Sequence, residues 1–211
     1  MRTTIIPAAL AAVMAAGCSS GEKAEGATAS AEQWFELCAQ CHGADGLGRR
    51  EFQAPAIAGL PDWYVEGQLT KFKSGARGTH PDDVSGMRMR PMAIEIDTEA
   101  DIKAIAALVA KMPAAKPAPL LTGGDKQAGQ ALYTPCTACH GPKGAGNPLL
   151  KSPPINRASD WYLLAQLKKF KEGVRGSDPR DITGAQMAPM AKVLADEQAM
   201  RNVVAYVMSL Q

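Results

Sequence analysis

Ile102, Ile105, Leu108, Val109 and Met112 fall on one side of a helical wheel, and Met200, Val203, Val204, Val207 and Leu210 repeat the pattern near the end of the chain. Both stretches predict an amphipathic helix with one buried face. A second pair of helices is predicted over Trp63–Lys73 and Trp161–Lys171, where Asp62 and Asp160 stand at the position of an N-cap and Gly75 and Gly173 follow as stops. Ser30 with Gln33 makes a capping box ahead of an earlier helix that ends by delivering Cys38. No segment alternates apolar and polar residues as a half-buried strand would, and glycine- and proline-rich loops join the helices. The expected fold class is all-α.

The pairing of these helices is a duplication. Laying each residue over the one 98 positions later aligns the two halves without a gap. Of the 17 positions from Asp62 to Gly78, 11 are identical to their counterparts from Asp160 to Gly176, too many for coincidence. Met89, Pro91 and Met92 fall on Met187, Pro189 and Met190. The expected organisation is an export signal over 1–17, a flexible tether over 18–29, one domain over 30–113, a proline-rich, stiff linker over 114–121, and a second domain over 122–211. Each domain is small enough to need stabilisation beyond its own side chains.

Composition adds two points. Aromatics are only 5% of the chain, so a large flat cofactor would supply apolar bulk that the side chains lack. The formal charge of +2 gives no case for nucleic-acid binding. Its distribution is uneven: residues 31–113 hold 9 Lys+Arg against 12 Asp+Glu, while residues 122–211 hold 11 against 7. That asymmetry is either chance or a charge dipole, and a dipole would suit different partners at the two ends.

The N-terminus reads as an export segment. Arg2 precedes an apolar run from Ile5 to Ala16 that is too short to span a bilayer. The run ends in Ala15-Ala16-Gly17-Cys18, which resembles the lipobox of bacterial lipoproteins with Ala15 where leucine is usual. Lipidation of Cys18 accounts for the odd cysteine. Ordinary cleavage nearby is the competing reading. Nothing after Cys18 is long and apolar enough to predict a transmembrane helix.

The remaining cysteines form Cys38-Ala-Gln-Cys41-His42 and Cys136-Thr-Ala-Cys139-His140. Cys-x-x-Cys-His attaches haem covalently: each thiol adds to a vinyl group, and the adjacent histidine sits under the iron. A zinc site would need both pairs together or further ligands. A thioredoxin-like pair would need a different fold around it. Two disulfides are feasible in an exported chain. None of these explains a histidine after both pairs, so two covalent haem c groups are expected. For the sixth ligand, histidine is ruled out by number, because only His80 remains and its counterpart is Asp178. Met89 with Met187 and Met92 with Met190 are the candidate pairs, both expected in loops before the last helix of their half.

With these motifs, residues 30–113 and 122–211 each resemble a class I cytochrome c domain, and the tandem is similar to the di-haem cytochrome c4 group. The resemblance rests on the haem motif followed by Gly43 and Gly141, and on Pro55 and Pro153 at the position whose carbonyl, in the family, holds the proximal histidine. The second copy has Arg157 where the first has Gly59, so its loop is expected to differ. In the family the axial methionine lies seven residues before the apolar start of the final helix region; Met89 before Ile96 and Met187 before Leu194 fit that spacing. The resemblance therefore implies His42 with Met89 and His140 with Met187 as iron ligands, and Pro55 and Pro153 as supports behind the histidines. Trp63, Tyr64, Trp161 and Tyr162 are candidates for haem edges or propionates, or for plain helix packing.

The function implied is a bacterial periplasmic electron carrier, lipid-anchored at most, that moves single electrons between a donor and an acceptor protein such as a membrane terminal oxidase. It is expected not to be an enzyme, since methionine ligation leaves no open iron position and no other catalytic constellation is visible. Two alternatives stay open: a di-haem oxidoreductase in which one iron loses its methionine, and an electron-transfer subunit of a dehydrogenase or reductase complex.

Overall fold

The protein is described by a computed structural model over residues 29–211. The expected export signal, Cys18 and nearly all of the tether lie outside the described residues. The elements are α1 (Ala31–His42), α2 (Asp62–Ser74), α3 (Val84–Ile94) and α4 (Glu99–Lys111), then α5 (Lys126–Tyr133), α6 (Thr137–His140), α7 (Asp160–Lys171), α8 (Ile182–Lys192) and α9 (Glu197–Met208). Among the described residues there is no strand, only isolated bridges joining Arg49 to Ala54 and Asn147 to Ser152. No described helix is long and apolar enough to cross a membrane.

The predicted buried faces become two separate cores. Ile102, Ile105 and Val109 of α4 meet Phe35 of α1 and Leu69 and Phe72 of α2. Met200, Val203, Val204 and Val207 of α9 meet Tyr133 of α5 and Leu164 of α7. The capping box at Ser30 is present, with the Ser30 N–H donating to Gln33 Oε1 at 2.8 Å and the Gln33 N–H to Ser30 Oγ at 3.3 Å.

Two local expectations need correction. Asp62 and Asp160 are the first residues inside their helices, with Pro61 and Ser159 at the cap positions. Each carboxylate accepts the next N–H, of Trp63 at 2.7 Å and Trp161 at 2.6 Å. Acidic groups are favoured in a first turn because unpaired N–H groups leave it partly positive. The second correction concerns the methionines, which lie not in loops but on α3 and α8, continuous through Pro91 and Pro189. Both helices are started by an aspartate: Asp83 accepts the Gly86 N–H at 3.0 Å and Asp181 the Gly184 N–H at 2.9 Å. Each proline deprives only the carbonyl four residues back, at Met87 and Ala185. Both of those residues are exposed, so water can take over.

The linker is fastened at both ends. The Ala115 N–H donates to Ala58 O at 3.2 Å, and Ala115 is buried with Ala56 and Ala58. The N–H groups of Leu120 and Leu121 donate to Asp160 Oδ2 at 2.5 and 2.6 Å.

Between the halves, matching residues pair reciprocally about a pseudo-twofold axis. Lys71 reaches Asp181 at 2.6 Å, and its counterpart Lys169 reaches Asp83 at 2.5 Å. Arg77 donates to Gln68 at 2.6 Å and across to Gln166 at 3.2 Å. Arg175 donates to Gln166 at 2.7 Å and across to Gln68 at 3.0 Å. Each guanidinium also stacks on a phenylalanine of its own half, Phe72 or Phe170, 4.5 Å from the ring centre. This polar seam ties α2 to the loop and helix start that follow α7, and α7 to those that follow α2.

Candidate cofactor site

In the first half α1 carries Cys38, Cys41 and His42 on its final turns and stops at Gly43, φ 82°. In the second half Pro135 lacks the N–H needed to continue a helix. There α5 stops at Tyr133, a tight turn spans Thr134–Cys136, and α6 brings Cys139 and His140 to Gly141, φ 74°.

Both histidines are buried and held alike. His42 Nδ1–H donates to Pro55 O at 2.8 Å, and His140 Nδ1–H to Pro153 O at 2.9 Å. Burial pushes both imidazole pKa values down, against the opposing pull of the proline carbonyl. Burial favours a neutral ring and the proline carbonyl a proton on Nδ1, which leaves Nε2 available as a ligand nitrogen. Behind the rings the chain turns back, and the Gly48 and Gly146 N–H groups donate to the His42 and His140 carbonyls at 2.8 and 2.9 Å. Only glycine fits there: φ is 82° and 81°, and a Cβ would lie 2.5 Å from Ala56 N or 2.6 Å from the Pro153 carbonyl carbon.

All four thiols are free, with Cys41 and Cys139 exposed and Cys38 and Cys136 half-buried. Burial pushes the Cys38 thiol up to about 11 and raises that of Cys136 as well. A thioredoxin-like pair needs a lowered thiol pKa, and the burial of Cys38 and Cys136 works the other way. Among the described residues no three or more His, Cys, Asp or Glu side chains converge on a point that could hold an ion, which removes a four-ligand zinc set. Met89 and Cys38 both pack against the first core, and Cys136 packs against the second. Met187, Met92 and Met190 are half-buried on their helices. His80 is a loop residue whose Nδ1 accepts the Asp82 N–H at 3.2 Å.

The donor set fits a covalently held haem: two thiols and a neutral imidazole on one segment of each half, and thioethers on α3 and α8. A haem also carries two carboxylates. Arg77 and Arg175, both 8% exposed, line a cavity of about 320 Å³ between the halves, and their buried Nε atoms have no partner. Tyr162 stands in the same cluster, its hydroxyl accepting from Arg77 at 3.2 Å. This seam of Gln68, Lys71, Arg77 and Asp83 with Gln166, Lys169, Arg175 and Asp181 was not anticipated from sequence. The available signal was that these polar residues are identical in the two copies.

Comparison with known proteins agrees with the geometry. Residues 25–113 and 127–211 each match the cytochrome c family. The chain belongs to the cytochrome c family. It is 33% identical to the thiosulfate dehydrogenase electron acceptor of Stutzerimonas stutzeri (strain A1501) over 174 residues, 76% of this chain and 73% of that protein. It is 30% identical to cytochrome c4 of Azotobacter vinelandii over 167 residues, 74% of this chain and 77% of that one. The structure of thiosulfate dehydrogenase (TsdBA) from Marichromatium purpuratum superposes with a TM-score of 0.63 at 34% identity. That match covers 80% of this chain but only 35% of the other. This member of the family is a di-haem, cytochrome c4-like electron carrier built of two tandem cytochrome c domains.

Proposed function

We propose that the protein is an exported bacterial carrier that accepts single electrons from a thiosulfate-oxidising dehydrogenase and passes them toward a terminal oxidase. The observation that carries the haem-carrier part of this reading is the duplicated histidine geometry, with each Nδ1 fixed by a proline carbonyl directly after a Cys-x-x-Cys pair; the choice of donor follows the likeness to a thiosulfate dehydrogenase electron acceptor. Cys38 with Cys41 and Cys136 with Cys139 would hold the cofactors covalently, and His42 with Met89 and His140 with Met187 would supply the iron ligands. When bound, haem supplies one one-electron couple in each half. Methionine–histidine ligation would raise the reduction potential relative to other ligation, which suits electron transfer rather than catalysis. The Pro55 and Pro153 carbonyls fix the imidazole planes and make Nε2 more basic. Lipidation at Cys18 would keep the carrier at the periplasmic face of a membrane.

The likeness to a thiosulfate dehydrogenase electron acceptor favours a second reading, in which the chain is a dedicated subunit of such an enzyme. Co-purification with a larger catalytic chain distinguishes that reading from a free carrier. A redox titration of the matured protein with optical spectra tests the core of the proposal. The expected result is two one-electron transitions, a ferric methionine–iron charge-transfer band, and negligible carbon monoxide binding to the reduced form. Rapid carbon monoxide binding at full occupancy would turn the assignment toward a catalytic haem protein.

A further inference from the structure

Between Asp125 and Asp160 the second half holds no acidic residue; its charges there are Lys126, Lys143, Lys151 and Arg157. The matching stretch of the first half, 28–61, carries Glu32, Glu36, Asp45 and Glu51 against Arg49 and Arg50. In register, Lys143 replaces Asp45, Leu149 replaces Glu51 and Leu150 replaces Phe52. Both stretches contain the thiols and the histidine, so the difference falls on the surface beside the cofactor site.

The apolar part is held outward by a defined turn. The Asn147 and Ser152 backbones bond reciprocally at 2.8 and 3.0 Å, and the Leu149 N–H donates to Asn147 Oδ1 at 3.0 Å. Leu149 is 92% exposed at its tip and Leu150 is 47% exposed. Both stems of the turn are tied to His140: Gly146 through its N–H to the His140 carbonyl, and Pro153 through its carbonyl to His140 Nδ1. Asn156 Nδ2 donates to Lys143 O at 2.8 Å, which draws the Arg157 end of the segment toward Lys143. An isolated exposed leucine is ordinary, but two on one braced turn, in a stretch whose only charges are basic, have the make-up of a docking face, even with Lys151 over the Trp63 ring and Arg157 donating to Gly59 O.

We infer that the 147–152 turn of the second half docks a redox protein presenting carboxylates around an apolar centre, and that the first half does not bind this partner. The partner's apolar centre covers Leu149 and Leu150, and its carboxylates meet Lys143 and Arg157. Positive charge speeds encounter, while the leucines set the lifetime of the complex. The inference rests on the reading of the second half as a redox centre, since docking there brings the partner to the His140 site.

The test uses matured di-haem protein and a gold surface coated with a mixed carboxylate- and methyl-terminated monolayer as the acidic, apolar probe. Mass uptake is read on a microbalance and redox charge by voltammetry. Saturable, salt-sensitive uptake is expected, weakened roughly tenfold or more by Leu149→Ser with Leu150→Ser, and similarly by Lys143→Glu with Arg157→Glu. Asp45→Lys with Glu51→Leu should create a second point of uptake on the first half. Unchanged uptake in both second-half variants, with haem content and spectra intact, overturns the inference. So does a concentration-dependent dimer in the ultracentrifuge that Leu149→Ser abolishes, which would assign the face to a second copy. Leucine-dependent uptake without redox charge supports the docking face and instead defeats the electron-carrier reading.

Discussion

In the first half a single helix runs from Ala31 to His42 with Glu32 and Glu36 on its exposed side, whereas in the second Pro135 divides the same stretch into α5, a tight turn and α6. Leu37 stands where Pro135 does. Despite this, the two histidine–proline hydrogen bonds differ by only 0.1 Å, at 2.8 and 2.9 Å. The copies have kept the contacts that orient the imidazole and let the delivery route and surrounding surface diverge. What fixes the ring is the loop behind it, with its glycine turn and proline carbonyl, more than the helix in front.

The largest effect expected on this comparison comes from the thiols. Cys38→Ser with Cys41→Ser should leave one covalent haem on the second half, and Cys136→Ser with Cys139→Ser one on the first. Extraction into acidic organic solvent followed by haem quantification of the retained protein reads this directly. Loss of both haems from either variant would show that the halves mature together.

Next come the reciprocal lysine–aspartate pairs. The Asp83 and Asp181 side chains are 2% and 0% exposed. Lys169→Met or Lys71→Met leaves one of these carboxylates buried without its partner, at a cost of about 3–5 kcal/mol. Denaturant unfolding of the holoprotein should show similar losses for the two variants if the pseudo-twofold seam is energetically as well as geometrically symmetric. A marked difference would identify which half depends more on the seam.

A smaller contrast lies at Gly59 and Arg157. Gly59 has φ 71°, and an added Cβ would lie 2.6 Å from Ala114 Cα. Arg157 keeps negative φ in the second copy and instead donates to Gly59 O at 3.2 Å. Gly59→Ala should cost about 1–3 kcal/mol, while Arg157→Ala, at the surface, should stay within about 0.5 kcal/mol. Thermal unfolding of the two variants checks the ordering.

Much of this was legible in the residues because covalent haem attachment and helical burial each impose strict spacing. Cys-x-x-Cys-His pointed to where a covalent cofactor would be held, and the Ile102/Ile105/Val109 stripe marked a face that the structure buries. Gly59 opposite Arg157 announced a loop difference that the structure shows. The methionine helices were missed because Pro91 and Pro189 read as breakers, while the compensating caps at Asp83 and Asp181 carry no periodic signal. The role of Asp160 was only half visible: its position at a helix start is local, but its hold on Leu120 and Leu121 depends on where the linker passes. The seam was hidden for a similar reason. Lysine and glutamine on a helix, and arginine in the loop that follows it, ordinarily face water, and only their strict repetition between the copies hinted that they face each other.

The finest contrast is Tyr133, whose counterpart in the duplication is Phe35. Both sit in the core of their half, but the Tyr133 hydroxyl donates to Gly141 O at 2.8 Å, on the residue that follows His140. Tyr133→Phe makes the second core like the first and removes that bond. The Gly141 carbonyl still accepts from the Gly144 N–H at 3.2 Å, so no buried acceptor is orphaned. The expected cost is therefore only about 0.5–1.5 kcal/mol. The variant should also change the alkaline limb of stability. Burial pushes the Tyr133 phenol up to about 12, above the ordinary value of about 10. Its raised folded pKa means that its contribution is complete below pH about 10 and is lost as pH rises toward about 12. Tyr133→Phe should then flatten the decline of second-half stability over that window, followed by far-ultraviolet circular dichroism in denaturant. An equally steep decline in the variant would show that another group governs alkaline unfolding and that the single oxygen distinguishing the two cores is energetically silent.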